Sequence, residues 1–266
     1  MRLPPSALAV VLLTGIVACA VAAGACAPDP APEVLADDAP FALATDSLVA
    51  GEPALRYAVA LGYPQLRALD GEDLSATARA VNAAVRDTVR ALARDFRPVA
   101  PPGGVRPDYP VRVSGGPTRA YVSARVLSAL VTVTAYTGGA HPNTFFLPLT
   151  YDLATGRALA TADLFASGTP WPDTLAAWTE RTAVATIARR LRATPDVARA
   201  EVFAQGLVPI RQGDVAVTLG RDSLRVHVPP YQLSSRAAGG FDVGVPYAAV
   251  RPFARPGSAL AGHAGR

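Results

Sequence analysis

Lysine is missing from this chain altogether: all 25 basic residues among the 266 are arginine. Cysteine is almost as scarce, since Cys19 and Cys26 are the only two and both lie near the N-terminus. Everything after Cys26 is therefore without a thiol, so neither a disulfide nor a thiolate zinc site is open to it, and its stability must come from burial. Histidine occurs three times, at His141, His227 and His263, with no HxH or HxxxH spacing, so the sequence offers no metal site and implies no cofactor. Charge of one sign never accumulates. The densest run is Arg189-Arg190-Leu191-Arg192, and a net charge of +4 over this length makes no nucleic-acid footprint. Disorder is excluded as well, because 50% of the residues are apolar.

Charge is also absent from Ala7 to Ala25, after a short n-region bearing only Arg2. This is the profile of a signal peptide. A membrane span needs about 20 apolar residues and competes for the same stretch. The segment is rich in Ala and Gly, however, and ends in the small residues Ala22-Ala23-Gly24-Ala25 before Cys26, which suits a peptidase pocket. Each cysteine follows an alanine, as in the lipobox of bacterial lipoproteins. Ile16-Val17-Ala18-Cys19 matches the lipobox better at its first position, whereas Cys26 is better placed, directly before the polar stretch from Pro28 to Glu33. The expectation is a signal peptide over 1–26 with lipid on Cys26 (alternative Cys19), against an ordinary cleaved signal with incidental cysteines. The chain is then held in the cell envelope by its N-terminal lipid. Ala27 is not the aspartate that retains lipoproteins at the inner membrane, which favours the outer membrane or a periplasm-facing position.

From 27 to 50 the Pro/Ala-rich composition predicts a tether. Leu55, Tyr57, Val59 and Leu61 alternate and predict a strand that Pro64 ends. Next, Leu74, Ala78, Val81, Val85, Val89, Leu92 and Phe96 form one helical stripe behind a cap at Asp70. Arg79, Arg86, Arg90 and Arg94 fall mostly off that stripe and read as a solvated face. A Pro/Gly-rich loop covers Pro98 to Pro110, one or two strands follow from Arg119 to Tyr136, and another runs from Thr144 to Tyr151 with a turn at 153–157. Thr161 can cap a short turn through Phe165. A second amphipathic helix starts near Pro172 and turns Leu175, Trp178, Val184, Ile187 and Leu191 inward, ending where Arg189 to Arg192 suit the helix dipole. After a short helix over 196–203, strands follow at 215–219, 224–228 and 241–245, and a polar tail at 254–266 reads as disordered. The fold class is α+β, with antiparallel or mixed sheets and two main amphipathic helices.

Three stretches exceed generic patterning: Tyr136-Thr137-Gly138-Gly139-Ala140-His141-Pro142-Asn143; then Tyr151-Asp152-Leu153-Ala154-Thr155-Gly156-Arg157 with Thr161 to Phe165; and Ser223 to Gln232, leading through Gly239-Gly240 to Val245-Pro246-Tyr247. Together they resemble the extracytoplasmic domain of RsiV-type anti-sigma factors, a domain of unknown function in most of its carriers. The part from Leu55 to Phe96 resembles the companion domain also found in the peptidoglycan deacetylase PdaC. The resemblance implies a PdaC N-terminal-like domain over 51–135 and an RsiV C-terminal-like domain over 136–253. It also implies an envelope-facing binding or sensory module, because the RsiV region recognises lysozyme. Only six residues precede the apolar run, so no sigma-binding segment is expected, and no deacetylase domain follows Phe253.

The candidate ligand-binding residues are Gly138, Gly139, His141, Asn143 and Tyr231. Gly138-Gly139 permits positive φ, and Pro142 stiffens the exit, so His141 is held on a constrained turn. There it can meet a ligand, or simply hydrogen-bond the backbone and fix the connection. Tyr231, after Pro229-Pro230, can present its ring to a sugar or protein or close the core, and Tyr136, Tyr151 and Tyr247 carry the same ambiguity. His227, between Val226 and Val228 on an alternating strand, reads as a satisfied sheet residue. No nucleophile with a base and no carboxylate pair stands out, so no catalytic residue is assigned. The expected function is a binding module for a lysozyme-like protein or peptidoglycan. The alternatives are a cell-wall glycan hydrolase or deacetylase centred on His141 and Asp152, and a structural accessory lipoprotein.

Overall fold

The structure, a computed structural model, describes residues 33–36, 38–69, 73–98 and 108–263, and two sheets divide them. The export segment with Cys19 and Cys26, and the expected cap Asp70, lie outside the described residues. Strands β1 (Glu33–Leu35), β2 (Phe41–Glu52), β3 (Tyr57–Ala68), β4 (Val111–Val122), β5 (Val126–Tyr136) and β6 (Asn143–Asp152) form a mixed sheet in the order β2-β3-β4-β5-β6. β1 joins β4 in parallel, beyond the point where β3 leaves it. Strands β7 (Ala216–Leu219), β8 (Ser223–Val228) and β9 (Phe241–Pro246) make a smaller antiparallel meander. The helices are α1 (Ala76–Asp95), α2 (Trp171–Leu191), α3 (Pro195–Ala200), α4 (Val208–Arg211), α5 (Tyr247–Val250) and α6 (Ala259–His263). The fold is α+β, as the order of periodicities implied.

Each sheet has its own helix and its own core. Helix α1 bridges the parallel pair β3 and β4 and lays Ala78, Val81, Val85, Val89 and Ala93 on the large sheet, against Val59, Leu61, Val113, Val131 and Val133. The spacing of three and four along α1 makes that stripe, while Arg79, Arg90 and Arg94 remain exposed. Helix α2 packs with the small sheet's apolar face, where Leu224, Val226 and Val228 of β8 and Val243 and Val245 of β9 are buried. Period-2 alternation then sends Arg225 and His227 to the opposite face, towards the large sheet. Between the sheets the Ser128 hydroxyl accepts from Leu219 N at 2.8 Å and meets Thr150 Oγ1 at 2.9 Å, so a buried polar link joins the two layers.

Several expectations need correction. The stretch 27–50 is not wholly a tether, because β1 and most of β2 fall in it and β2 pairs with β3 along its whole length. Nor does Pro64 end its strand. Both polar backbone groups of Leu66 are met by the Asn82 side chain on α1, at 2.8 Å and 2.9 Å, so they point away from β2. Pro64, two residues earlier, points the same way, and β4 pairs with β3 only as far as Leu61. The missing N–H of Pro64 therefore costs no ladder bond. Helix α1 is capped by Ser75, whose hydroxyl accepts from Ala78 N at 3.1 Å. Thr161 is not a cap: Asp163 accepts from Ala160 N at 3.0 Å, and Thr161 donates to Val215 O at 2.9 Å. Leu191 is exposed rather than inward.

The β5–β6 ladder, from Val126↔Asp152 to Ala135↔Asn143, pairs residues on the two sides of the expected 135/136 boundary within one sheet, so the chain does not divide at that point. The first core takes its last residue at Leu153, while the second already includes Tyr121 and Val126 at the ends of β4 and β5, so the two share the large sheet rather than dividing at one position. The expected disordered tail is docked as far as His263. Ala166 N donates to Phe253 O at 2.8 Å, Ser258 Oγ donates to Leu164 O at 3.1 Å, and Ala259 and Leu260 are buried.

Candidate functional site

Where the polar face of the small sheet meets the large sheet, a groove of about 450 Å³ opens, walled by Arg119, Thr132, Thr144 and Phe146 on one side and by His227 and Asp242 on the other. A β-bulge builds the first wall. The register of β4 against β5 shifts between Pro117 and Arg119, so Thr118 and Arg119, although consecutive, both reach the groove. Thr118 Oγ1 meets Thr132 Oγ1 at 2.8 Å, which gives that wall a paired hydroxyl surface.

The second wall is held by charge. Asp242 stands opposite His227 in the β8–β9 register. Arg225 grips its carboxylate with two parallel bonds of 2.9 Å and 3.0 Å, and Arg119 donates to it from the large sheet at 2.6 Å. One carboxylate thus ties two sheets together. Gly244 makes room for this, since a Cβ there would lie 3.1 Å from the Arg225 guanidinium. Burial alone would raise the Asp242 carboxyl, but the hydrogen bond and charge of Arg225, with His227 and Arg119, bring it below its usual value.

His227 is 3% exposed. Its Nε2 meets Thr218 Oγ1 at 2.7 Å, its Nδ1 lies 3.7 Å from Asp242 Oδ1, and the Phe146 ring meets it edge-on with centroids 6.0 Å apart. Burial outweighs the neighbouring carboxylate and lowers its pKa to about 4, so the ring is neutral at pH 7. Thr218, His227 and Asp242 follow the order hydroxyl, imidazole, carboxylate. The hydroxyl is 2% exposed, however, and the carboxylate is committed to two guanidiniums, so the set is a buried link rather than an activated nucleophile.

The structure brings two of the expected ligand-binding residues together across 90 positions. The Tyr231 hydroxyl lies 2.8 Å from His141 Nε2, and the rings stack with centroids 5.7 Å apart and 16° between planes. His141 Nδ1 is 3.3 Å from Pro142 O, so with Nδ1 donating there, Nε2 accepts from the tyrosine. Tyr231 takes a left-handed backbone, φ 72°, and is 45% exposed, whereas Tyr151 and Tyr247 belong to the core. Neither residue lines the groove itself, but Tyr231 follows Pro230 in sequence and His141 comes three residues before Thr144, and both of those neighbours do. Gly138 and Gly139 both have positive φ, and Gly138 is further required because a Cβ would strike the Tyr109 ring at 2.8 Å. Asn143 begins β6 opposite Ala135 and is exposed.

Asp152 is not near His141. It lies at the far end of the ten-residue β6, about 30 Å away at strand rise, and its carboxylate accepts from Ala154 N, Thr155 N and the Thr155 hydroxyl to close the turn. The His141–Asp152 centre of the hydrolase alternative is therefore not assembled. Among the described residues no group of three or more His, Cys, Asp or Glu side chains could hold a metal ion. The sequence reading did not anticipate Arg119, Phe146, Arg190 or Asp242. The Gly115-Gly116-Pro117 run is the one local signal of the bulge that aims Arg119. For Asp242 no such signal exists, because its role comes from cross-strand register.

No family model matches the chain, and no curated protein matches it. Solved structures do. A member of the DUF3298 family from Bacteroides fragilis shares 14% identity with a TM-score of 0.56, over 86% of this chain and 98% of that one. A DUF3298 family protein from Pseudomonas aeruginosa PAO1 shares 15% identity with a TM-score of 0.51, over 83% of this chain and 96% of that one. At such identities the likeness is one of fold: the chain folds as these DUF3298 family structures do.

Proposed function

We propose that this protein is an exported envelope component, tethered through lipid on Cys26, whose folded part binds cell-wall glycan in the groove between its sheets. The uncharged run from Ala7 to Ala25 before Cys26 supports the export and anchoring. Among the described residues no helix is long and apolar enough to cross a membrane.

The observation that carries the binding reading is the groove itself, about 450 Å³ with Phe146 within it and a stacked His141–Tyr231 pair that adjoins its lining residue Pro230 in sequence. Sugar rings offer apolar faces to aromatic side chains and hydroxyls to polar groups. The threonine hydroxyls of Thr118, Thr132 and Thr144 and the guanidinium of Arg119 supply the second kind of partner beside the first. Stacking on an exposed ring contributes about 1 kcal/mol beyond its buried area. Retention of the chain on insoluble peptidoglycan, and a fall of about fivefold in that retention for Phe146→Ala and Tyr231→Ala, is the expected result. A chain that ignores peptidoglycan but is retained by immobilised lysozyme would overturn the choice of glycan.

A further inference from the structure

The groove does not stop at Arg119. A second cavity of about 360 Å³ begins at that residue and runs past Tyr121 to Arg221. A third, of about 480 Å³, shares Tyr121 and Arg221 with it and ends at Arg125 and Arg251. The three hollows follow one another as a trench along the junction of the two sheets, the first two meeting only at Arg119, whose bond to Asp242 joins the sheets there, and the last two sharing Tyr121, Arg221 and Asp222. Its floor follows β4 through Arg119 and Tyr121, alternate residues that share a face, and ends at Ser123 just past the strand, about 13 Å on at strand rise. A single sugar does not need such length.

The trench also has a charge. Arg119, Arg190 and Arg225 stand at the groove end, and Arg125, Arg221 and Arg251 at the far end. The aspartates Asp38, Asp222 and Asp242 are fewer, and Asp242 is already neutralised between two guanidiniums. Arg251 is exposed, and although its backbone is bonded to Tyr247 and Ala254, its guanidinium makes no hydrogen bond or ion pair among the described residues. It is a cation on the trench wall without an internal use.

Resting on the glycan reading above, we infer that the ligand is an extended, carboxylate-bearing glycan lying along the whole trench, with its neutral sugar rings in the Phe146 groove and a carboxylate at Arg251. Guanidinium groups meet carboxylates by paired, charge-assisted bonds, and a trench with excess arginine selects such a chain over a neutral one.

The test is calorimetric titration of the chain with two soluble probes, a neutral N-acetylglucosamine hexamer and an uncrosslinked peptidoglycan oligomer bearing stem-peptide carboxylates. The account expects the anionic oligomer to bind more tightly and to weaken as salt rises. Arg251→Glu should then weaken it about tenfold while leaving the neutral hexamer unchanged. Arg211→Glu, the same charge change on α4 outside the trench, is expected to do neither, and matched melting curves show that both variants fold. Unchanged affinity of the anionic oligomer for Arg251→Glu overturns the trench; if Phe146→Ala still weakens binding, the groove reading survives it. No binding of either probe to the unaltered chain overturns both.

Discussion

His227 enters the folded state neutral, with its pKa lowered by burial from 6.5 to about 4. The unfolded chain takes up that proton first as pH falls, so the stabilisation is fully present above pH 6.5 and is lost progressively towards pH 4. Asp242, whose pKa is also lowered, acts in the same direction at the acid end. The loss expected from His227 across that window is roughly 3 kcal/mol. Urea midpoints measured from pH 7 to 4 should fall accordingly, and His227→Gln should flatten the fall, since an amide can meet Thr218 without titrating. The neighbouring carboxylate gives a second check. Removing it in Asp242→Ala leaves Arg119 and Arg225 facing each other without a counter-charge. Because Asp242 is partly exposed, the cost is about 2 kcal/mol, below that of a fully buried pair. A melting curve unchanged from the parent would show that the clamp contributes nothing.

At the scale of elements, α1 shows how one polar side chain can replace a missing strand partner. Asn82 supplies both hydrogen bonds that β4 no longer offers Leu66. Asn82→Ala leaves a buried N–H and C=O unpaired and should destabilise the protein by about 2 kcal/mol in denaturant titration, whereas Ala83→Gln, on a neighbouring half-buried position, should cost less. This contact also marks the limit of what the sequence showed. The α1 stripe, the β7–β9 meander and the cations closing α2 were legible because each is set by residues a few positions apart. Strand β2 was not, because its Pro/Ala neighbourhood looks like a linker and its pairing with β3 is supplied by the ladder. The continuation of β3 through Pro64 depended on where the missing N–H points, which only the register of three strands decides. For the site, the glycine turn under His141 was visible, and so was the exposed Tyr231. Their meeting, and the Arg119–Asp242 clamp, depend on contacts 90 and 123 positions apart.

Over the whole molecule, two cores meet along one polar seam, and the chain's end helps close the second core. Leu260 on α6 is fully buried, so Leu260→Ala should cost about 3 kcal/mol and lower the melting temperature, the opposite of what a disordered tail would allow. The seam between the cores carries the groove and the arginine trench, and a ligand lying there would touch both sheets at once. Backbone amide NMR of the chain, titrated with soluble peptidoglycan fragments, examines this most directly. The account predicts shifts centred on Thr144 to Phe146, His227 to Tyr231 and Gly240 to Asp242. Shifts confined to the arginine face of α1 or to the edge strand β2, or no shifts at all, would contradict it.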